Sequence, residues 1–141
     1  MTAPTALPAT VPLPRTALLL TAGVLVAAAA TTVVSLAARA AGADPTFPPL
    51  LPPAYLTFTV LGMLAAYVGW RLVRRFARHP ARTLRVLVPV ALLLSFTPDI
   101  VLAITRFLPG ADLTGILALS TMHVIVTAVA VPLFQRIAPV R

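Results

Sequence analysis

One aspartate and one histidine, each with hydroxyl neighbours, interrupt long apolar runs, and through them this chain could do chemistry. LLLSFTPDIVLAI (92–104) surrounds Asp99, and LALSTMHVIVTAV (117–129) surrounds His123. Ser95, Asp99 and Arg106 stand at i, i+4 and i+11, close to one face of a helix. Ser120, His123 and Thr127 stand at i, i+3 and i+7, again one face. A carboxylate in hydrocarbon costs about 2.5–3.5 kcal/mol on insertion scales, so Asp99 should face protein or water. Two readings follow for an acid and an imidazole at such depth. They could titrate together and relay protons or hold a cation, or they could fasten two helices to one another.

Other chemistry finds no support. The chain has no cysteine, which excludes disulfides, thiol nucleophiles and thiolate-held metals. It has no HExxH, GxSxG, glycine-rich phosphate loop or paired carboxylates, so no catalytic activity and no cofactor are expected. One Asp and one His at depth are too few for a metal site. His79, beside Pro80, reads as a solvated loop residue.

The elements that must carry these residues follow from composition. Of 141 residues, 60% are apolar and 10% charged, with a mean hydropathy of +1.00. A soluble domain of this size could not hide so much apolar surface. The apolar residues fall in blocks of about twenty, enough to cross ~30 Å of hydrocarbon. Spans are expected at about 16–38, 54–73, 86–105 and 113–134. Continuous apolar runs of this kind are helices, because only helices and closed barrels satisfy backbone groups in lipid. The first run is longer than an ordinary signal-peptide core, and its flank carries only Arg15, so a retained helix is expected. Residues 1–15, with Pro4, Pro8, Pro12 and Pro14, read as a disordered or extended tail, and 138–141 as a short one.

Orientation follows from arginine, the only basic residue type besides two histidines in a chain of net charge +8. RLVRRFARHPARTLR (71–85) carries Arg71, Arg74, Arg75, Arg78, Arg82 and Arg85, whereas the other two links pair Arg39 with Asp44 and Arg106 with Asp112. Basic residues near span ends stay in the cytoplasm, which places both termini and the arginine link inside, in the plasma membrane. Anionic lipid headgroups are the expected partners of that link, at about 1 kcal/mol per basic group. A short link tied to membrane at both ends does not suit nucleic acid. Trp70 and Tyr67 near the inner end of span two and Tyr55 near its outer end fit the interfacial belts. The proline-rich link ADPTFPPLLPP (43–53) is expected to be stiff, extended and non-helical.

Within lipid, close packing of small residues holds helices together. Gly23, Ala27, Thr31 and Ser35 form such a stripe on span one, and Gly62, Ala66 and Gly69 on span two. The expected fold is therefore all-α, an antiparallel bundle of four transmembrane helices, with contacts to a second copy or another membrane protein left open. Pro89, Pro98 and Pro132 lie inside spans, and Pro98 frees the carbonyl of Leu94, where Ser95 is close enough to help. Counted from Arg106, Asp99 lies ~10 Å deep, and His123 about 6 Å further from the same face of the membrane, at 1.5 Å per residue. A modest tilt or a Pro98 kink would bring them together, and Arg106 could neutralise Asp99 in part through water.

ARAAGAD (38–44) and STMHVIVTAVAVPLF (120–134) resemble a family of small four-helix integral membrane proteins of high-GC Gram-positive bacteria that carry a domain of unknown function. The resemblance runs from about Leu18 to Ile137 and implies four spans and no assigned activity. The residues themselves favour a structural or accessory membrane component acting through helix contacts. The alternative is a small proton- or cation-coupled transporter or channel subunit using Asp99 and His123.

Overall fold

The computed structural model describes residues 11–140. Four stretches are long and apolar enough to cross a membrane: Leu13–Ala40, Pro52–Phe76, Pro80–Thr105 and Leu113–Ile137. The third is broken, so the α-helices of the described residues number five: α1 (Leu13–Ala40), α2 (Pro52–Phe76), α3 (Pro80–Ser95), α4 (Thr97–Thr105) and α5 (Leu113–Ile137). No strand occurs among the described residues.

Prolines set several of these boundaries. Pro sits at N1 or N2 of α1, α2, α3 and α4, where its missing N–H has no partner to lose. Helix α1 thus starts at Leu13, with Pro14 inside its first turn, earlier than the tail expected through residue 15. Pro4 and Pro8 lie outside the described residues. Helix α5 is instead capped by Asp112, whose Oδ1 accepts from the Gly115 amide at 2.6 Å.

The helices form a ring, α1 beside α2 and α5, with the α3–α4 pair closing it between α2 and α5. Two apolar cores stack along the bundle. One, at the arginine end, gathers Ala27, Met63, Trp70, Leu84, Phe134 and Ile137. The other, at the aspartate end, gathers Ala38, Phe47, Leu50, Tyr55, Leu102, Ile116 and Met122. Between them run hydroxyl contacts: Tyr55 donates to Thr32 Oγ1 at 3.2 Å, and the Thr31 and Thr59 hydroxyls lie 3.5 Å apart.

The small-residue stripe of α1 is buried in full, with Gly23 pressed on Leu133 of α5 so closely that a Cβ there would overlap that side chain. The stripe of α2 differs. Gly62 and Ala66 are exposed and Gly69 half-buried, and nothing stands within 4 Å of where a Cβ would go at either glycine.

The proline-rich link is neither extended nor free of helix. It folds into a 3-10 turn over Pro48–Leu50 that tucks Phe47 and Leu50, both fully buried, into the core. Its five prolines stiffen the chain without keeping it straight. The turn is held because the Leu50 carbonyl accepts from Ser35 Oγ at 2.9 Å and from the Arg39 guanidinium at 3.0 Å. A Cβ at Gly115 would come 2.7 Å from Phe47, so only glycine leaves room for that ring.

At the opposite end, the amide of Val11 donates to the Ile137 carbonyl at 3.1 Å, and Trp70 Nε1 to the Ala138 carbonyl at 2.9 Å. Trp70 is therefore a buried tie to the C-terminal segment, not the interfacial anchor its position suggested. Tyr55 too is buried by its hydroxyl bond, while Tyr67 is half-buried against Phe134, its hydroxyl accepting from Arg71 at 3.0 Å. The arginine-rich stretch is mostly helix: Arg71, Arg74 and Arg75 end α2, Arg82 and Arg85 begin α3, and Arg78 alone occupies the connection. Five of these side chains are exposed, but Arg74 turns inward and is buried.

Candidate functional site

The break in the third span positions Asp99. Pro98 cannot donate a backbone hydrogen bond to Leu94, and α3 stops at Ser95. Helix α4 restarts at Thr97, its first α-type bond running from the Ile100 amide to the Phe96 carbonyl at 2.9 Å. Ser95 does not relieve the Leu94 carbonyl; its hydroxyl donates to the Leu92 carbonyl at 2.6 Å. Pro89 and Pro132, by contrast, sit within helices that continue through them. Asp99 consequently falls in the first turn of α4, where unpaired amides give a partial positive charge that favours a carboxylate.

Asp99 is only 4% exposed, and its carboxylate is met from α5. Ser120 Oγ donates to Oδ2 at 2.9 Å. His123 Nδ1 lies 3.3 Å from the same oxygen, within ion-pair range but without the geometry of a hydrogen bond, which leaves this buried nitrogen without a hydrogen-bond partner. The edge of the His123 ring packs against Phe96 at the helix break, with centroids 6.0 Å apart and planes at 90°. Asp99, Ser120 and His123 are thus brought together across the two helices.

The other polar residues singled out by spacing stand apart from this cluster. Thr127 Oγ1 donates to the His123 carbonyl at 2.9 Å, supporting the helix backbone and not the imidazole. Among the described residues Arg106 forms no direct ion pair with Asp99. It is exposed and terminates α4 in the left-handed conformation, at φ 48°.

Beside the cluster lies a groove of about 740 Å³, open on one side, between α2, α3, α4 and α5. Asp99, His123, Ser95 and Thr127 border it, as do Gly62, Ala66 and Gly69 of α2. Its volume falls within the ~300–1,000 Å³ of small-molecule sites. The missing side chains at Gly62 and Gly69 account for part of the space: the second stripe widens a cleft where the first one closes an interface. No group of three or more metal-ligating side chains occurs among the described residues.

One family model, a family of unknown function (DUF6069), matches residues 11–139, a stretch that holds all the helices described and this cluster. The chain belongs to that family. The expected likeness to an uncharacterised domain is met across the four apolar helices of this DUF6069 member. No match to a curated protein was found, and none to a solved structure. The chemistry of a DUF6069 chain must accordingly be argued from its own residues.

Two features escaped the sequence reading. The groove lies where the Gly62, Ala66 and Gly69 face of α2 is left uncovered, which no local pattern encodes. The burial of Phe47 against Gly115 joins residues far apart in the chain, although an aromatic ring in a proline-rich link was a usable signal.

Proposed function

We propose that this DUF6069 protein is an integral membrane protein of the plasma membrane that binds a cation at Asp99 and works as a small carrier or carrier subunit. The observation that supports this reading is a buried carboxylate at a helix break, on the wall of a 740 Å³ groove and 3.3 Å from an imidazole. Broken helices at mid-membrane are how many transporters set ion-binding groups against a cavity. Both termini and the arginine end are assigned to the cytoplasmic side, where the exposed guanidinium groups of Arg71, Arg75, Arg78, Arg82 and Arg85 would meet anionic headgroups. No catalytic step is assigned to the chain.

A second reading, an accessory component acting through helix contacts, is favoured by the α2 stripe, left without a covering helix at Gly62 and Ala66. In that reading the Asp99–His123–Ser120 cluster simply ties α4 to α5.

Vesicle reconstitution separates the two. A carrier should lose cation or proton flux in Asp99→Asn and His123→Phe variants that remain folded. An accessory component should show altered assembly or abundance and no flux in any form. Membrane placement has its own test, since a thiol engineered at Ala81 should resist an impermeant reagent in unbroken cells and react once they are opened.

A further inference from the structure

The polar lining of the groove is one-sided in its hydrogen bonding. Ser95 and Thr127 border it, and both hydroxyl protons are already committed, to the carbonyls of Leu92 and His123. Tyr55, also on the wall, donates to Thr32 Oγ1, and Ser120 spends its proton on Asp99. What a guest meets is therefore a set of acceptors, namely the Asp99 carboxylate and the remaining lone pairs of Ser95 and Thr127. Thr59, also on the wall, lies 3.5 Å from Thr31 Oγ1, whose own proton goes to the Ala28 carbonyl, so the Thr59 proton is turned toward Thr31 and the His123 imidazole is the donor left for a guest. Among the described residues no arginine borders the groove, and Asp99 is the one carboxyl group on it.

The remaining wall is apolar, and it includes the aromatic rings of Tyr55, Phe58, Trp70 and Phe134, surfaces that attract organic cations. A metal ion suits such a lining poorly, since a hard cation asks for six or more oxygen ligands. An inorganic ion would also leave most of the volume unfilled.

We propose that the groove takes a lipophilic ammonium compound, an apolar body bearing a protonated amine, with its N–H donors on Asp99 and its body along α2 and α3. The proposal rests on reading the groove as a binding site and names the class of molecule it accepts. Charge complementarity selects the head, while the apolar wall selects the body. Such molecules partition into lipid and would reach the open side of the groove from the bilayer.

Trp70, the sole tryptophan of the chain, lies on the groove wall and reports occupancy. The full chain in phosphatidylcholine nanodiscs would be titrated with ω-bromoundecylamine, ω-bromoundecanol and ω-bromoundecanoate, whose bromine quenches indole on contact. The expected result is saturable quenching by the amine at a tenfold or lower mole fraction in lipid than the alcohol requires, with the carboxylate weakest. Asp99→Asn should erase the preference for the amine. Ala91→Phe, which narrows the groove without touching the cluster, should weaken saturable quenching by every probe and keeps the test valid should the Asp99 variant misfold. Equal saturable quenching by amine and alcohol, or a preference for the carboxylate, overturns the ammonium assignment and leaves the groove a binding site. Linear, non-saturable quenching by all three overturns both.

Discussion

Ser120 on α5 donates to Asp99 on α4 across 2.9 Å, on the same carboxylate oxygen that His123 approaches to 3.3 Å. One oxygen thus receives two groups from successive turns of a single helix face. Removing Ser120 leaves that oxygen to an imidazole whose nitrogen is poorly aimed. Ser120→Ala should therefore destabilise the bundle by about 1 kcal/mol, below the ~1.5–3 kcal/mol of bonds to charged groups because side-chain bonds between helices in lipid are modest. Thermal unfolding in detergent would show it, and Asp99→Asn should retain more stability than Asp99→Ala.

Gly115 and Gly62 should respond oppositely to the same change. Gly115→Ala brings a methyl to 2.7 Å from Phe47, and overpacking of this kind costs about 1–3 kcal/mol. It should also free the 43–53 link for protease cleavage. Gly62→Ala meets nothing within 4 Å and should be neutral or stabilising by under about 1 kcal/mol through helix propensity. Equal losses from both substitutions would contradict the difference in packing around these two glycines.

Trp70 is 6% exposed and bonded to the Ala138 carbonyl. Its emission should be blue-shifted and resist quenching by iodide. Trp70→Phe keeps an aromatic ring against Phe134 but leaves the carbonyl without its donor, at a cost of about 1 kcal/mol. Loosened packing of residues 138–140 should follow, seen as faster hydrogen exchange at the C-terminal end of α5.

Asp44 titrates below the ordinary carboxylate value because the Thr46 hydroxyl, and next the Thr46 amide, donate to it at 2.6 and 2.7 Å. A depressed folded-state pKa favours folding above the ordinary carboxylate range and loses that contribution as pH falls through the depressed value. Thr46→Val removes the larger cause, so the Asp44 pKa should rise toward normal. The acid loosening of the link should then begin at a higher pH. Carboxyl-carbon NMR titration of the two forms would measure both.

Much of the architecture was legible because its causes are local. The lengths of the apolar runs mark out four stretches of helix long and apolar enough to cross a membrane, and Pro98 marks the break in the third. The spacing put Ser120 beside His123 on one helix face and left His123 about 6 Å from Asp99 in depth, a gap that a tilt or a Pro98 kink was expected to close. What the chain hid was tertiary. Arg74 has the same local context as Arg75, yet one is buried and the other exposed. Trp70 looked interfacial by depth, but its partner is a carbonyl at the far end of the sequence. The link at 43–53 read as extended from its prolines, while Ser35 and Arg39 bend it inward by bonding to a single oxygen.

The gap between α3 and α4 falls where one apolar core gives way to the other: Leu84 of α3 belongs to the arginine-end core and Leu102 of α4 to the aspartate-end core. Helices α1, α2 and α5 run unbroken through both cores, so only the third apolar stretch is interrupted at that seam. A small change of angle near Phe96 would shift the Asp99 carboxylate relative to the imidazole carried by continuous α5, while three rods keep the two cores in register.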